Sequence, residues 1–215
     1  LVEKADIPVA TTLLGKGCLP DDHPMSLGMM GMHGSAGANQ AVQEADLVIA
    51  IGMRFDDRVT GRLADFAAGA LKIHLELDAS EIGKNVPVDV GVLGDLRQSI
   101  RGMLNTIEQA SRGPWHERIA VWRADSEDRD ILARLEGEIL AAPHVVDAIR
   151  KEMSRDAIVV ADVGQNQMWA AQYFHADRGR AFITSGGLGT MGFALPAAIG
   201  AQIAAPDAEV WVVAG

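Results

Sequence analysis

Four short strings in this 215-residue chain gather residues able to hold a charged ligand, and SGGLGTMG (185–192) is the densest of them. Its glycines allow positive φ and a close approach of backbone to ligand. The apolar run LPAAIGAQIA (195–204) behind it predicts a helix whose free N-terminal N–H groups can receive an anion. Gly187, Gly189 and Gly192 fit the G-x-G-x-x-G spacing of dinucleotide-binding turns. That fingerprint also needs an acidic residue closing the next strand, and VWVVAG (210–215) ends in Ala214-Gly215. A glycine turn without a ligand is an equal alternative. GQNQMWAAQ (164–172) follows a strand ending at Asp162-Val163 and sets Gln165, Asn166 and Gln167 where open α/β sheets bind ligands. Amides donate and accept, which suits a heterocycle or a diphosphate. N-capping by Asn166 is the competing reading, and Met168 and Trp169 also suit a core.

RFDDRVTG (54–61) places Arg54 and Arg58 on either side of Asp56 and Asp57, directly after LVIAIG. Planar guanidinium forks match a diphosphate, and they equally match an ion-pair network inside the loop. GMMGMHG (28–34) carries His33 among methionines that suit a flat aromatic ligand or a core. In LELD (75–78), Glu76 and Asp78 stand at a strand end, where a carboxylate binds a ribose or caps the following turn. Asp95, after Gly94, reads first as the N-cap of a helix. The histidines at 23, 33, 74, 116, 144 and 175 show no metal-ligand spacing, and the one cysteine, Cys18, has no partner. There is no G-x-S-x-G elbow and no Walker loop.

The elements that must position these strings alternate along the chain. Short branched apolar runs at 7–12, 47–52, 72–77, 89–93, 157–162, 181–185 and 209–214 predict strands. Helical patterns fall at 37–45, 60–69, 95–110, 144–153, 166–174 and 190–204. The fold class is therefore α/β with parallel sheets, whose strands lack strict alternation because helices cover both faces. Residues 113–142 differ: RADSEDRD (123–130) is charge-rich, and no strand pattern occurs. Trp115, Ile119 and Trp122, then Ile131, Leu135 and Ile139, predict two helical segments lying on the surface of the flanking domains.

Hydrophobic residues make up 48% and the net charge is −10, an ordinary globular composition that argues against non-specific nucleic-acid binding or an anionic membrane partner. The single cysteine and the lack of a membrane-length apolar run fit a cytoplasmic protein. Leu1 in first position, and a strand that stops at Gly215 where a loop should begin, read as the ends of an interior piece.

Taken together, TTLLGKG (11–17), GMHG (31–34), ADLVIAIGMRFDDRVTG (45–61), GQNQMWAAQ (164–172) and FITSGGLGTMGFALPAAIGAQ (182–202) resemble the acetolactate (acetohydroxyacid) synthase large subunits, a thiamine-diphosphate family. The resemblance implies a Rossmann-like, FAD-binding middle domain at 1–112, truncated at its N-terminus, then a helical connector at 113–142. It further implies the first half of a thiamine-diphosphate-binding α/β domain at 143–215, truncated at its C-terminus. On this resemblance Thr12, Leu13, Met30, Gly31, Met32, His33, Gly52, Arg54, Asp56, Arg58, Val59, Glu76, Leu77, Gly94 and Asp95 match FAD-contacting stretches. Gln167, Met168, Ser185, Gly186 and Gly187 match positions beside the flavin ring. Val163, Gly164, Gln165, Asn166, Gly189 and Met191 match thiamine-diphosphate contacts, with Met191 propping the cofactor in its bent form as the catalytic position.

The chemistry so implied is that the thiazolium ylid adds to pyruvate, CO2 leaves, and the carbanion attacks a second 2-oxo acid, pyruvate or 2-oxobutyrate, in branched-chain amino-acid biosynthesis. The protein orients these groups. FAD is structural in this family. Mg2+ is implied too, with ligands beyond Gly215, and the activating glutamate belongs to an earlier domain, so this chain alone is expected to be inactive. The implied assembly is a homodimer or homotetramer with shared active sites, open to a small regulatory subunit. Asn166 replaces a histidine common in the family and Leu14 a glutamine. Alternatives are another thiamine-diphosphate carboligase or oxidase, a nucleotide-binding oxidoreductase, and a non-catalytic dinucleotide-binding module.

Overall fold

The computed structural model describes residues 1–130 and 140–215. Every strand pairing in it is parallel. After a short helix α1 (Val2–Ala5), β1 (Val9–Thr11) pairs with β2 (Ser26–Met29). Helix α2 (Ala36–Gln43) leads into a second sheet, in which β3 (Leu47–Ile51), β4 (Leu71–Glu76) and β5 (Val90–Leu93) lie in that order. Its register is fixed by pairs such as Ala50 with His74 and Leu75 with Val92. A one-turn helix α3 (Asp57–Thr60) follows β3, and α4 (Leu96–Thr106) follows β5. Asp95 caps α4 by accepting the Gln98 N–H at 2.9 Å, as its sequence position predicts.

Helix α5 (Gly113–Asp128) follows, with Pro114 in its first turn. Trp115 and Trp122 meet edge to face at 5.5 Å, and the Arg118 guanidinium lies over both rings while pairing with Glu44 at 3.3 Å. A Cβ on Gly37 of α2 would stand only 3.1 Å from the Trp122 carbonyl oxygen, so glycine there lets α5 come close to α2. The first of the two helical segments expected at 113–142 is thus docked on the first part of the chain. The second, read from Ile131, Leu135 and Ile139, lies outside the described residues.

Helix α6 (Ala142–Glu152) opens the remaining part, which holds β6 (Ile158–Ala161), α7 (Gln165–Tyr173), β7 (Phe182–Thr184), α8 (Ala194–Ala204) and β8 (Val210–Val213). The strand order is β7-β6-β8. Central β6 is buried on both faces. Val159 and Ala161 join a core with Phe174 and Phe182, while Ile158 and Val160 join Ala194 and Ala198 of α8. This is why IVVA reads as an unbroken apolar run. Met29, from β2, inserts into the first of these cores. Among the described residues no helix is long and apolar enough to cross a membrane.

One expected helix is missing and one strand forms where none is expected. The predicted helix at 60–69 does not form: α3 stops at Gly61, where φ is 60°, and only a 3₁₀ turn (Leu63–Asp65) follows. Ala67 adopts φ 43°, its N–H held by Gln43 Oε1 at 2.8 Å, while Lys72 Nζ donates to the carbonyls of Ala67 and Ala70. The long-range bond from Gln43 and the local ones from Lys72 turn Phe66 and Ala67 into the core and outweigh local helix preference. Strand β2, conversely, was not anticipated, because SLGM is short and interrupted by Gly28.

Candidate functional site

All the parallel strands send their carboxyl ends towards loops, and six of those loops, after β1, β2, β3, β4, β6 and β7, border one cleft of about 1030 Å³. The loop after β3 is the most firmly anchored. His74, fully buried on β4, has Nε2 2.8 Å from the Met53 carbonyl oxygen, and Asn85 Nδ2 donates to the carbonyls of Arg54 and Phe55 at 3.1 Å. Phe55 takes φ 51° and buries its ring edge-on to His74 and Phe66. The buried phenylalanine therefore pins the loop while its neighbours Arg54, Asp56 and Arg58 face the cleft.

The two arginines differ in state. Arg54 Nε lies 3.3 Å from Asp56 Oδ2, whereas among the described residues no carboxylate pairs with the Arg58 guanidinium. Asp56 also caps α3 through the Arg58 N–H at 3.0 Å. The ion-pair reading of RFDDRVTG is thus realised at Arg54, and Arg58 keeps its fork unpaired at the cleft. The loop carrying GMHG is fastened beside it. Met32 N–H donates to the Arg58 carbonyl at 2.7 Å, and Asn39 brackets Gly31, accepting its N–H at 2.8 Å and donating to its carbonyl at 2.9 Å.

Across the cleft, Gly164 has φ 146° and a Cβ there would stand 2.7 Å from Asn166 Oδ1. No side chain caps α7 at Gly164, so the N–H groups of Gln165 and Asn166 are free to meet an anion, while that of Gln167 donates to the Gly164 carbonyl at 3.1 Å. The start of α8 is different. Asp162 Oδ1 accepts the N–H groups of Gly192 at 2.9 Å and Phe193 at 3.2 Å, so the anion expected beneath SGGLGTMG is a carboxylate of the chain itself. The glycine turn is tied at its other end by Ser185, whose Oγ accepts the Thr190 N–H at 3.0 Å.

Of the residues singled out from the sequence, Thr12, Leu13, Met30, Met32, His33, Gly52, Arg54, Asp56, Arg58, Val59 and Glu76 line the cleft from the first part of the chain. Val163, Gly164, Gln165, Gln167, Met168, Ser185, Gly186, Gly187 and Gly189 line it from the second. Gly31, Leu77, Gly94, Asp95, Asn166 and Met191 are not among its lining residues. Gly31 is clamped by Asn39 behind the loop, and Leu77 donates its N–H to Glu76 Oε1 at 2.7 Å. Gly94 donates to the Glu76 carbonyl at 3.0 Å, and Asp95 is spent on α4. Asn166 Nδ2 bonds the Val213 carbonyl at 3.0 Å, which ties α7 to β8, and Met191 stands 75% exposed beside the cleft. Asp78 takes the capping role left open for it: the Ser80 hydroxyl and N–H hold its carboxyl below the usual aspartate range.

Glu81 lines the cleft and was not foreseen. Its Oε1 meets Lys84 Nζ at 2.6 Å, while Oε2 is buried without a hydrogen-bond partner, an acceptor suited to a ligand hydroxyl or amine. The free Arg58 fork and the orphan Glu81 oxygen together fit a ligand bearing both a diphosphate and hydroxyl groups, as FAD does. The uncapped α7 start fits a second diphosphate. Among the described residues, no three His, Cys, Asp or Glu side chains gather to hold a cation.

Residues 1–103 match the thiamine pyrophosphate enzyme central domain, and residues 162–215 match the C-terminal thiamine pyrophosphate-binding domain of the same enzymes. The chain belongs to the thiamine pyrophosphate enzymes. Within this family it is similar to the acetolactate synthase large subunit of Parasynechococcus marenigrum, 48% identical over 219 residues, which cover all of this chain and 35% of the relative. The probable acetolactate synthase large subunit of Methanocaldococcus jannaschii is 45% identical over all of this chain and 37% of its own length. That of Corynebacterium glutamicum is 42% identical over 99% of this chain and 34% of its own length. The chain thus spans about a third of the length of the curated relatives it matches.

Proposed function

We propose that the protein works as an acetolactate synthase, joining two 2-oxo acids with loss of CO2, pyruvate serving as donor and pyruvate or 2-oxobutyrate as acceptor. The observation that carries this reading is the single cleft in which RFDDRV, GMHG, VGQ and SGGLG converge. Similarity to acetolactate synthase large subunits over the whole chain supports it. In this reading residues 1–112 hold FAD, 113–142 connect, and 143–215 contribute to the thiamine-diphosphate site. Thiamine diphosphate, when bound, supplies the carbon nucleophile that a 2-oxo acid requires.

The chain's own residues then divide the work. Arg58 and Arg54 hold the flavin's diphosphate, and Glu76 and Glu81 accept from its hydroxyl or amine groups. Met30, Met32 and Met168 give flat apolar contact to its rings. Val163, Gly164, Gln165 and Asn166 present the start of α7 to thiamine diphosphate, and Met191 sets its bent conformation. Magnesium, an oligomer with shared active sites and a regulatory subunit belong to the same reading. Acetolactate formation from pyruvate tests it, using protein expressed from the complete gene. Activity should vanish when thiamine diphosphate and Mg2+ are stripped and return when both are restored. Turnover that survives complete removal of both would defeat the assignment.

A further inference from the structure

We propose that Asp162 is a positioning residue that locks the glycine-rich turn 185–193, Met191 included, onto the loop that opens α7, so that this wall of the cleft is set before any ligand arrives. Asp162 directly follows β6, and its N–H continues the strand pairing by donating to the Val213 carbonyl at 2.8 Å. Its side chain is therefore carried on the most buried strand of the sheet. From there Oδ1 accepts three N–H groups: Val163 at 2.8 Å, Gly192 at 2.9 Å and Phe193 at 3.2 Å. Oδ2 takes a second contact from Gly192 at 3.1 Å. One carboxylate thus joins the loop after β6 to the loop after β7, both of which also border the cleft.

Charge makes this stronger than a neutral cap. A carboxylate at the start of α8 meets the positive end of the helix, and charge-assisted bonds to backbone N–H groups are roughly twice as strong as neutral ones. The other end of the turn is fixed by Ser185, which takes the Thr190 N–H on Oγ and the Gly189 N–H on its carbonyl. Met191 therefore sits between two tethered neighbours, Thr190 and Gly192. Its backbone is held at both sides while its side chain projects 75% exposed. Gly189 and Gly192 adopt φ 66° and 82°, conformations that an unanchored turn would readily leave. The lock is a property of this chain alone; its consequence for Met191 rests on the functional reading above.

The test uses protein from the complete gene, with Asp162→Ala, the isosteric Asp162→Asn, Met191→Ala, and the double variant Asp162→Ala/Met191→Ala. In ligand-free protein, amide hydrogen exchange at Gly192 and Phe193 should quicken at least tenfold in Asp162→Ala, while the amides of 159–161 keep their protection. Thiamine diphosphate affinity, measured by titration calorimetry, should fall tenfold or more. In turnover, each single variant should lower kcat, and the double variant should lie no lower than the worse single, because both changes remove the same presentation of Met191. Unchanged exchange at 192 and 193, or kcat losses that multiply, would overturn the proposal. If the alanine variant does not fold, the asparagine variant carries the same measurements, since it keeps the volume and loses the charge. A wild-type protein that binds no thiamine diphosphate defeats the functional reading instead, and the exchange data then decide on the lock by themselves.

Discussion

Lys16 Nζ lies 2.7 Å from Asp21 Oδ2, and the two side chains are only 5% and 6% exposed. The same oxygen accepts the Ala176 N–H at 2.8 Å, and the Asp21 N–H returns to the Ala176 carbonyl at 3.0 Å. A buried ion pair formed within the loop after β1 thereby fastens that loop to the segment after α7, on the far side of the cleft in sequence. Gly17 reinforces the junction, for a Cβ there would stand 2.3 Å from the Arg178 carbonyl oxygen. Asp21 Oδ1 is already buried without a partner, so losing Lys16 leaves a carboxylate with one backbone donor. Lys16→Met should cost about 3–5 kcal/mol, the usual penalty for stranding one member of a buried pair. Urea denaturation measures it, and a loss below about 1 kcal/mol would show that the pair does not hold the two parts together.

Arg58 and Arg54 should separate in a flavin-binding assay. Arg58 has its fork free in the cleft, while Arg54 already pairs with Asp56. Removing a charge-assisted contact costs about 1.5–3 kcal/mol, which corresponds to roughly 10–100-fold in affinity. Arg58→Ala is expected to lose FAD by that factor, and Arg54→Ala by less. Equal retention of flavin by Arg58→Ala and the wild type rejects the role given to Arg58.

Gly31→Ala should fail for two reasons. Its φ of 99° strains any residue with a Cβ, and that Cβ would sit 2.6 Å from the Arg58 carbonyl oxygen. Backbone strain of this kind costs about 1–3 kcal/mol before the clash is added. The variant should be less stable in urea and purify with less flavin, because the Met32–Arg58 backbone contact that joins two cleft loops must open. Wild-type stability together with full flavin content would contradict this.

Asp6 makes part of the attachment of α5 dependent on pH. The Arg112 N–H holds its carboxyl below the usual aspartate range, partly opposed by desolvation, and His116 lowers it further from 2.9 Å. A depressed carboxyl binds fewer protons in the folded state. Its stabilisation is therefore complete above the unfolded value of about 3.9 and disappears as pH falls through the folded value. Asp6→Asn should lower the urea midpoint at pH 7 and at pH 5. Its curve should draw towards the wild type only as the pH falls below the unfolded value of about 3.9. A gap that persists undiminished at low pH would assign the effect to packing.

What the chain's local order determined is visible in β6, in Asp95 and in the loop strings. IVVA is apolar at every position because a central parallel strand is covered on both faces. Asp95 precedes a helical pattern, and RFDDRVTG directly follows a strand, which is enough to place it at a sheet's carboxyl edge. These features depend on neighbours a few residues away, and pattern and turn chemistry record them. The tertiary structure decided the rest. It brought Glu81 to the cleft, tied Asn166 to β8, and turned the expected helix at 60–69 inward through Gln43. It also filled the start of α8 with Asp162, 30 residues before Gly192, leaving the start of α7 open. The bonds of Asn166, Gln43 and Asp162 each join segments distant in sequence. Such partners are selected by packing geometry, which no local pattern of residue types encodes.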